Sequence, residues 1–210
     1  MPASADTAVS LGKTTADRIV DEGLRLFAEH GFRGTTVGEI ERQAGLTPRA
    51  GALYKHFPSK EAVLEAAFER SVAELEAISS AIELMPLGDL RAELTLLARS
   101  SLQMLARERS LRRIVITEGD RFPDLKRRFE KAIVDRAYRE ATSFVRQKMQ
   151  TGEFPERDPE ATAVVMFGSL LAYELEIDVF GRPPAGVDEE RLVGALVESW
   201  MALRNREEAT

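Results

Sequence analysis

Residues 31–60, GFRGTTVGEIERQAGLTPRAGALYKHFPSK, concentrate side chains able to grip a polyanion. Thr36 and Thr47 bring hydroxyls, Tyr54 a phenol, Lys55 and Lys60 ammonium groups, and His56 an imidazole. Hydroxyls, basic side chains and helix N-termini are the usual partners of phosphate oxygens. Arg49 adds a guanidinium fork that can bridge O6 and N7 of guanine, which makes it the candidate base reader. Ala50 and Gly51 have no hydrogen-bonding side chain; they would permit close approach to a base edge or meet a thymine methyl. Charge is distributed to match. The chain is −6 overall, yet residues 31–60 hold five basic and two acidic residues, net +3, while residues 61–210 hold 21 basic and 28 acidic, net −7. A small positive segment on an acidic body points to local contact with nucleic acid.

Other chemistry is scarce. The chain has no cysteine and two histidines, His30 and His56. Disulfides, cysteine nucleophiles and Cys-ligated zinc are therefore excluded, and neither metal nor cofactor is expected. There is no serine elbow, no H-E-x-x-H pair and no Gly-rich dinucleotide loop after a strand, so an enzyme is not expected. Gly12-Lys13-Thr14 ends like a phosphate-binding loop, but Thr7 stands where its first glycine belongs. No apolar run reaches the roughly 18 residues of a membrane span, and the first dozen residues lack the basic-then-apolar order of a secretion signal. A cytoplasmic location is the expectation.

Helices must position these groups. Ala16, Ile19, Val20, Gly23 and Phe27 recur at helical steps, and Gly31 stands where a helix C-terminus wants glycine. Thr36 and Glu39 have capping-box spacing ahead of Val37, Ile40 and Ala44, and Gly45 ends that short helix. Thr47-Pro48 has the form of an N-cap followed by proline at N1, opening a third short helix through Leu53, Tyr54 and Phe57 that Pro58 breaks. Two short helices joined by a turn form a helix-turn-helix, whose second helix enters the major groove. Ser59 caps a long helix towards Pro86, and helices are expected over 88–107, 110–119, 123–151, 159–180 and 188–206. The fold class is all-α with about nine helices. The expected division is a disordered tail over 1–12, a helix-turn-helix domain over 13–60 and a larger helical domain over 61–210.

Gly31-Phe32, Thr35-Thr36, Ile40, Ala44-Gly45, Leu53-Tyr54, His56-Phe57, Ser59-Lys60 and Leu64 together resemble the DNA-binding signature of the tetracycline-repressor (TetR) family of bacterial transcription regulators. The resemblance covers residues 14–64. It implies a homodimer on double-stranded DNA, a helical body that binds a small effector, and release of a repressor by that effector. It also implies phosphate contacts from Thr36, Tyr54, His56 and Lys60. One departure stands out: Gly45 and Tyr54 enclose eight residues, two more than that signature commonly has.

The body supplies candidates for the other two roles. Met104, Phe122, Phe144, Met166, Phe167 and Tyr173 offer adaptable apolar lining for a ligand, and Glu118 and Glu174 could orient a polar or cationic group in it. Residues 161–173, ATAVVMFGSLLAY, are apolar nearly all round and are expected to be buried all round. Helices 159–180 and 188–206 of two subunits are expected to form a four-helix interface. Its candidates are Leu171 and Leu175 on the first and Leu192, Leu196, Trp200 and Leu203 on the second. Two other readings keep the same residues: a nucleoid-associated protein binding many sites without ligand control, and a helical enzyme or carrier of small molecules.

Overall fold

The computed structural model describes residues 12–82 and 87–202. The expected tail over 1–12, apart from Gly12, and Leu203 lie outside the described residues. The described residues form nine α-helices and no strand: α1 Thr15–Gly34, α2 Val37–Gln43, α3 Lys60–Ile82, α4 Leu90–Arg107, α5 Arg109–Glu118, α6 Pro123–Phe129, α7 Asp135–Gln150, α8 Pro159–Phe180 and α9 Glu189–Met201. A π turn over Glu130–Val134 joins α6 to α7. No described helix is long and apolar enough to cross a membrane.

Local chemistry sets most helix starts. Thr14 and Asp17 cap α1 reciprocally, and Thr36 and Glu39 do the same for α2. Asp158 accepts the Ala161 N–H with Pro159 at the first position of α8, and Asp188 accepts the Arg191 N–H to start α9. Gly31 has φ of 75°, a conformation that disfavours a Cβ, so α1 kinks there before one last turn through Gly34. That turn carries Phe32 inward.

The chain divides into two compact units. The first holds the described residues up to Ser71 and, after a long excursion, Ser110–Lys126; the second holds Val72–Arg109 and the described residues from Arg127 on. This differs from a body beginning at residue 61: most of α5 and the turn after it complete the amino-terminal unit. Phe32 shows why. It is buried, its ring lies 4.8 Å from that of Phe122 in an edge-on arrangement, and its N–H donates to Glu118 Oε1 at 2.9 Å.

In the second unit α8 packs against both α7 and α4, and α9 against α4. Leu94, Ala98, Leu102, Val145, Ala163, Met166, Leu170, Val193, Val197 and Trp200 form its core. Residues 161–173, expected to be covered on one side by a partner subunit, are not buried all round within the single chain: Val164 and Val165 are 53% and 77% exposed. One side of α8 meets the core, and Val164 and Val165 on the other have no cover among the described residues.

Candidate nucleic-acid interface

Thr36 is exposed at the start of α2. Its hydroxyl accepts the Glu39 N–H and donates to Glu39 Oε2 at 2.8 Å, so this hydroxyl is engaged in the cap. Hydrogen bonds from the Thr36 N–H and then from its hydroxyl hold the Glu39 pKa below its ordinary 4.5. A carboxyl group depressed in the folded state stabilises above its unfolded pKa and loses that contribution as pH falls through the folded value. The α2 cap is expected to hold at neutral pH and to loosen in acid. In Thr36→Ala the Glu39 carboxyl should titrate at higher pH by carbon-detected NMR; identical midpoints in the two proteins would refute the assignment.

The turn after α2 differs from expectation. No helix opens at Pro48; residues 46–52 form successive turns, and only a short 3-10 segment, Leu53–Lys55, precedes His56. Three residues explain it. Gly45, Arg49 and Gly51 take φ of 71°, 61° and 70°, left-handed values that no right-handed helix contains. The two additional residues are absorbed as turn. Leu53 is fully buried and anchors the segment, while Thr47, Arg49, Ala50, Tyr54, Lys55 and His56 are exposed and Gly51 is half-buried. Tyr54 is 59% exposed, so its phenol is not the closing piece of a core. Arg49 lies over the first turn of α2, where its Cγ is 3.8 Å from the place a Cβ at Gly38 would occupy.

Lys60 does not stand free for a phosphate. Its ammonium donates to the carbonyls of Phe32 at 2.8 Å and Thr35 at 2.6 Å, and sits 4.5 Å from the centre of the Phe32 ring. Burial lowers its pKa. It ties the end of α1 to the start of α3, a tertiary task that sequence spacing does not reveal. Sequence reasoning also missed Glu41. This side chain is fully buried, and its two oxygens accept the Arg49 N–H at 2.7 Å and the Leu53 N–H at 3.1 Å. The available signal was an acid four residues after Val37, on the inner side of α2, followed by a turn whose N–H groups need acceptors other than a helix ladder.

The expected ligand residues do not gather at one site. Glu118 and Phe122 belong to the first unit, around Phe32. Glu174 is buried and accepts from Arg109 Nη2 at 2.8 Å, while Arg109 Nε pairs with Asp178, so this acid is already matched. The Tyr173 hydroxyl donates to the Val187 carbonyl at 3.0 Å. Phe144 and Met166 are core, Phe167 packs against that core, and Met104 is half-buried. A cleft of about 530 Å³ opens beside α7 and α8, lined by Asp135, Tyr138, Arg139, Thr142, Arg146, Glu160 and Val164, none of them among the expected residues. Trp200, expected at a subunit interface, is 4% exposed within the single chain, its ring 6.0 Å from Phe167. Leu192 and Leu196 pack against the same core, and Leu171 and Leu175 are half-buried. The open side of α9 instead carries Gly194, Ala195 and Ser199.

This arrangement can be set beside known proteins. A family model of bacterial regulatory proteins of the tetR family matches residues 19–67, and one of the AefR-like transcriptional repressor C-terminal domain matches residues 92–203. A segment of 53 residues is 47% identical to the uncharacterized HTH-type transcriptional regulator YerO of Bacillus subtilis, covering 25% of this chain and only 18% of that protein. A transcriptional regulator from Saccharomonospora viridis, solved in complex with choline, superposes with a TM-score of 0.70 at 22% identity, over 87% of this chain and 93% of its own. FadR from Bacillus subtilis, solved in complex with stearoyl-CoA, gives 0.64 at 20% identity, over 90% and 99%. At these identities the two structures speak for the fold, and the family models for descent. With one model on α1 to α3 and the other across more than half of its length, the chain belongs to the TetR family of bacterial transcriptional regulators.

Proposed function

We propose that this regulator is a cytoplasmic homodimeric repressor that reads a palindromic operator and is released from it by a small, mostly apolar ligand. The observation that carries the DNA reading is the exposed set Thr47, Arg49, Tyr54, Lys55 and His56 in a net-basic segment just after the capped start of α2. Thr47, Tyr54, Lys55 and His56 hold phosphates, Arg49 reads a base, and Ala50 and Gly51 allow the backbone to come close, while the Thr36 hydroxyl stays engaged with Glu39 in the cap. The uncovered Val164 and Val165 of α8 and the small residues of α9 favour a second copy as their cover. FadR of Bacillus subtilis was solved with stearoyl-CoA, an apolar chain on a large phosphorylated carrier, so acyl-CoAs are to be screened beside small apolar compounds as the rival ligand class. Such a ligand acts only if it binds the DNA-competent and incompetent states unequally.

Fluorescence anisotropy of the full chain on DNA from upstream of its own gene, against random DNA at two salt concentrations, tests the reading. A preference of about 10³-fold or more is expected, together with a sedimentation mass twice 23.3 kDa. Arg49→Ala should relax the selected site. Lys60→Met should leave the salt slope unchanged, because its ammonium is engaged with carbonyls rather than phosphate. Equal binding to both DNAs would favour an architectural protein, and binding to neither would refute the interface.

A further inference from the structure

We infer that Glu41 is a positioning residue for base recognition: its buried carboxyl group clamps the turn after α2 and sets the backbone from which Arg49 projects. The inference rests on the reading of Arg49 as base reader. Three hydrogen bonds to Glu41 bracket the turn. Its carbonyl accepts the Leu46 N–H at 2.8 Å, and its carboxyl oxygens accept the N–H groups of Arg49 and Leu53 at 2.7 and 3.1 Å. Between these points the chain is held by little else. Thr47, Pro48, Arg49 and Ala50 are all exposed, and the one backbone bond among them is Ala50 N–H to the Thr47 carbonyl at 3.3 Å.

Arg49 is the residue for which this matters. Its φ of 61° is left-handed, a conformation that side chains other than glycine, asparagine and aspartate seldom adopt. Such a backbone persists only where its surroundings over-determine it. Here the determining group lies beneath it: a fully buried acid whose two oxygens find N–H donors four residues apart in the same turn. The Arg49 side chain passes over Gly38 of α2 at ordinary packing distance, its Cγ 3.8 Å from where a Cβ there would lie. The turn thus takes over what a regular helix would do, presenting a guanidinium at a fixed angle. The acid that fixes it never meets DNA.

The test uses the full chain, a site selected from random DNA by the wild-type protein, and anisotropy on that site and on random DNA. Glu41→Gln keeps the shape but turns one acceptor into a donor facing an N–H. It is expected to lower the preference for the selected site about ten-fold or more, the worth of one bidentate base contact, while affinity for random DNA and its salt slope stay within about two-fold. In an Arg49→Ala background the same substitution should change the preference by less than about two-fold, since the two act as one unit. Retained preference in Glu41→Gln overturns the inference, as does an equal loss in both backgrounds. If Glu41→Gln does not fold, amide exchange in the wild type decides: Arg49 and Leu53 should exchange about ten-fold or more slower than the exposed Thr47, and equal rates overturn the clamp. An unchanged site in Arg49→Ala alone overturns the base-reader assignment instead, and this inference with it.

Discussion

Lys148→Met is expected to destabilise the second unit by about 3–5 kcal/mol, the range for breaking a buried ion pair from one side. Lys148 is 3% exposed and its ammonium pairs with Glu93, which is fully buried, and with Glu153 at 2.9 Å. Glu93 also accepts the Leu87 N–H at 2.7 Å, and the Thr151 hydroxyl donates to Glu153 at 2.9 Å. One cation thus serves two acids, tying α4 to the end of α7. Methionine preserves most of the volume, so the loss reports charge rather than a cavity. Burial alone would lower the Lys148 pKa; hydrogen bonds to Glu93 and Glu153 reverse that and leave it raised. A raised lysine contributes fully below its unfolded pKa and fades as pH rises beyond the ordinary 10.5, so the effect is complete at neutral pH. Urea unfolding followed by circular dichroism checks it. A loss under about 1 kcal/mol, the range of an exposed pair, would refute the buried network.

Phe32→Ala is expected to cost the first unit about 3–5 kcal/mol, as a large aromatic-to-alanine truncation in a tight core does. The ring is 1% exposed, lies 4.9 Å from Phe27 and 4.8 Å from Phe122, and has the Lys60 ammonium and Arg121 guanidinium 4.5 and 5.0 Å from its centre. Truncation leaves a cavity and removes the face over which Lys60 rests. DNA binding should fail at urea concentrations the wild type tolerates. Methyl NMR of Ile19, Val20 and Ile40 during urea titration reads the unit directly; a shift worth under about 1 kcal/mol would mean the pocket collapses around the missing ring.

Short-range chemistry was legible in the sequence. The Thr36–Glu39 capping box and the Asp158 and Asp188 caps lie where three-residue spacing puts them, and Gly45 takes its positive φ just past α2, whereas Gly31 kinks α1 instead of ending it. The family signature was legible for the same reason, being local. What escaped was carried by single side chains reaching across the fold. Lys60 finds carbonyls 25 and 28 residues away, and Glu118 finds an N–H 86 residues away. Neither leaves a periodic trace. Glu118 and Phe122 looked like pocket lining because apolar surroundings are the same in sequence whether they face a ligand or a neighbouring helix. Thr47-Pro48 reads as a helix start by local preference, but Arg49 and Gly51 adopt left-handed backbone with Glu41 beneath them. Lys148 and Glu93 passed unnoticed because charges on amphipathic helices usually face water, and Glu153 because it lies in the loop after α7.

The return of residues 110–126 to the amino-terminal unit bears on how such regulators exchange parts. The family match to the DNA-binding region stops at residue 67, as though that region were a detachable module. The packing is wider than that match: a graft of α1 to α3 onto a foreign body would carry Phe32 without the Phe122 ring and without the Glu118 oxygen that receives its N–H. A working chimera must import the later segment or find a recipient offering an aromatic edge and an acceptor at the same place. For this chain, a transplanted head is expected to keep its fold only on a body that offers the same ring edge and the same acceptor.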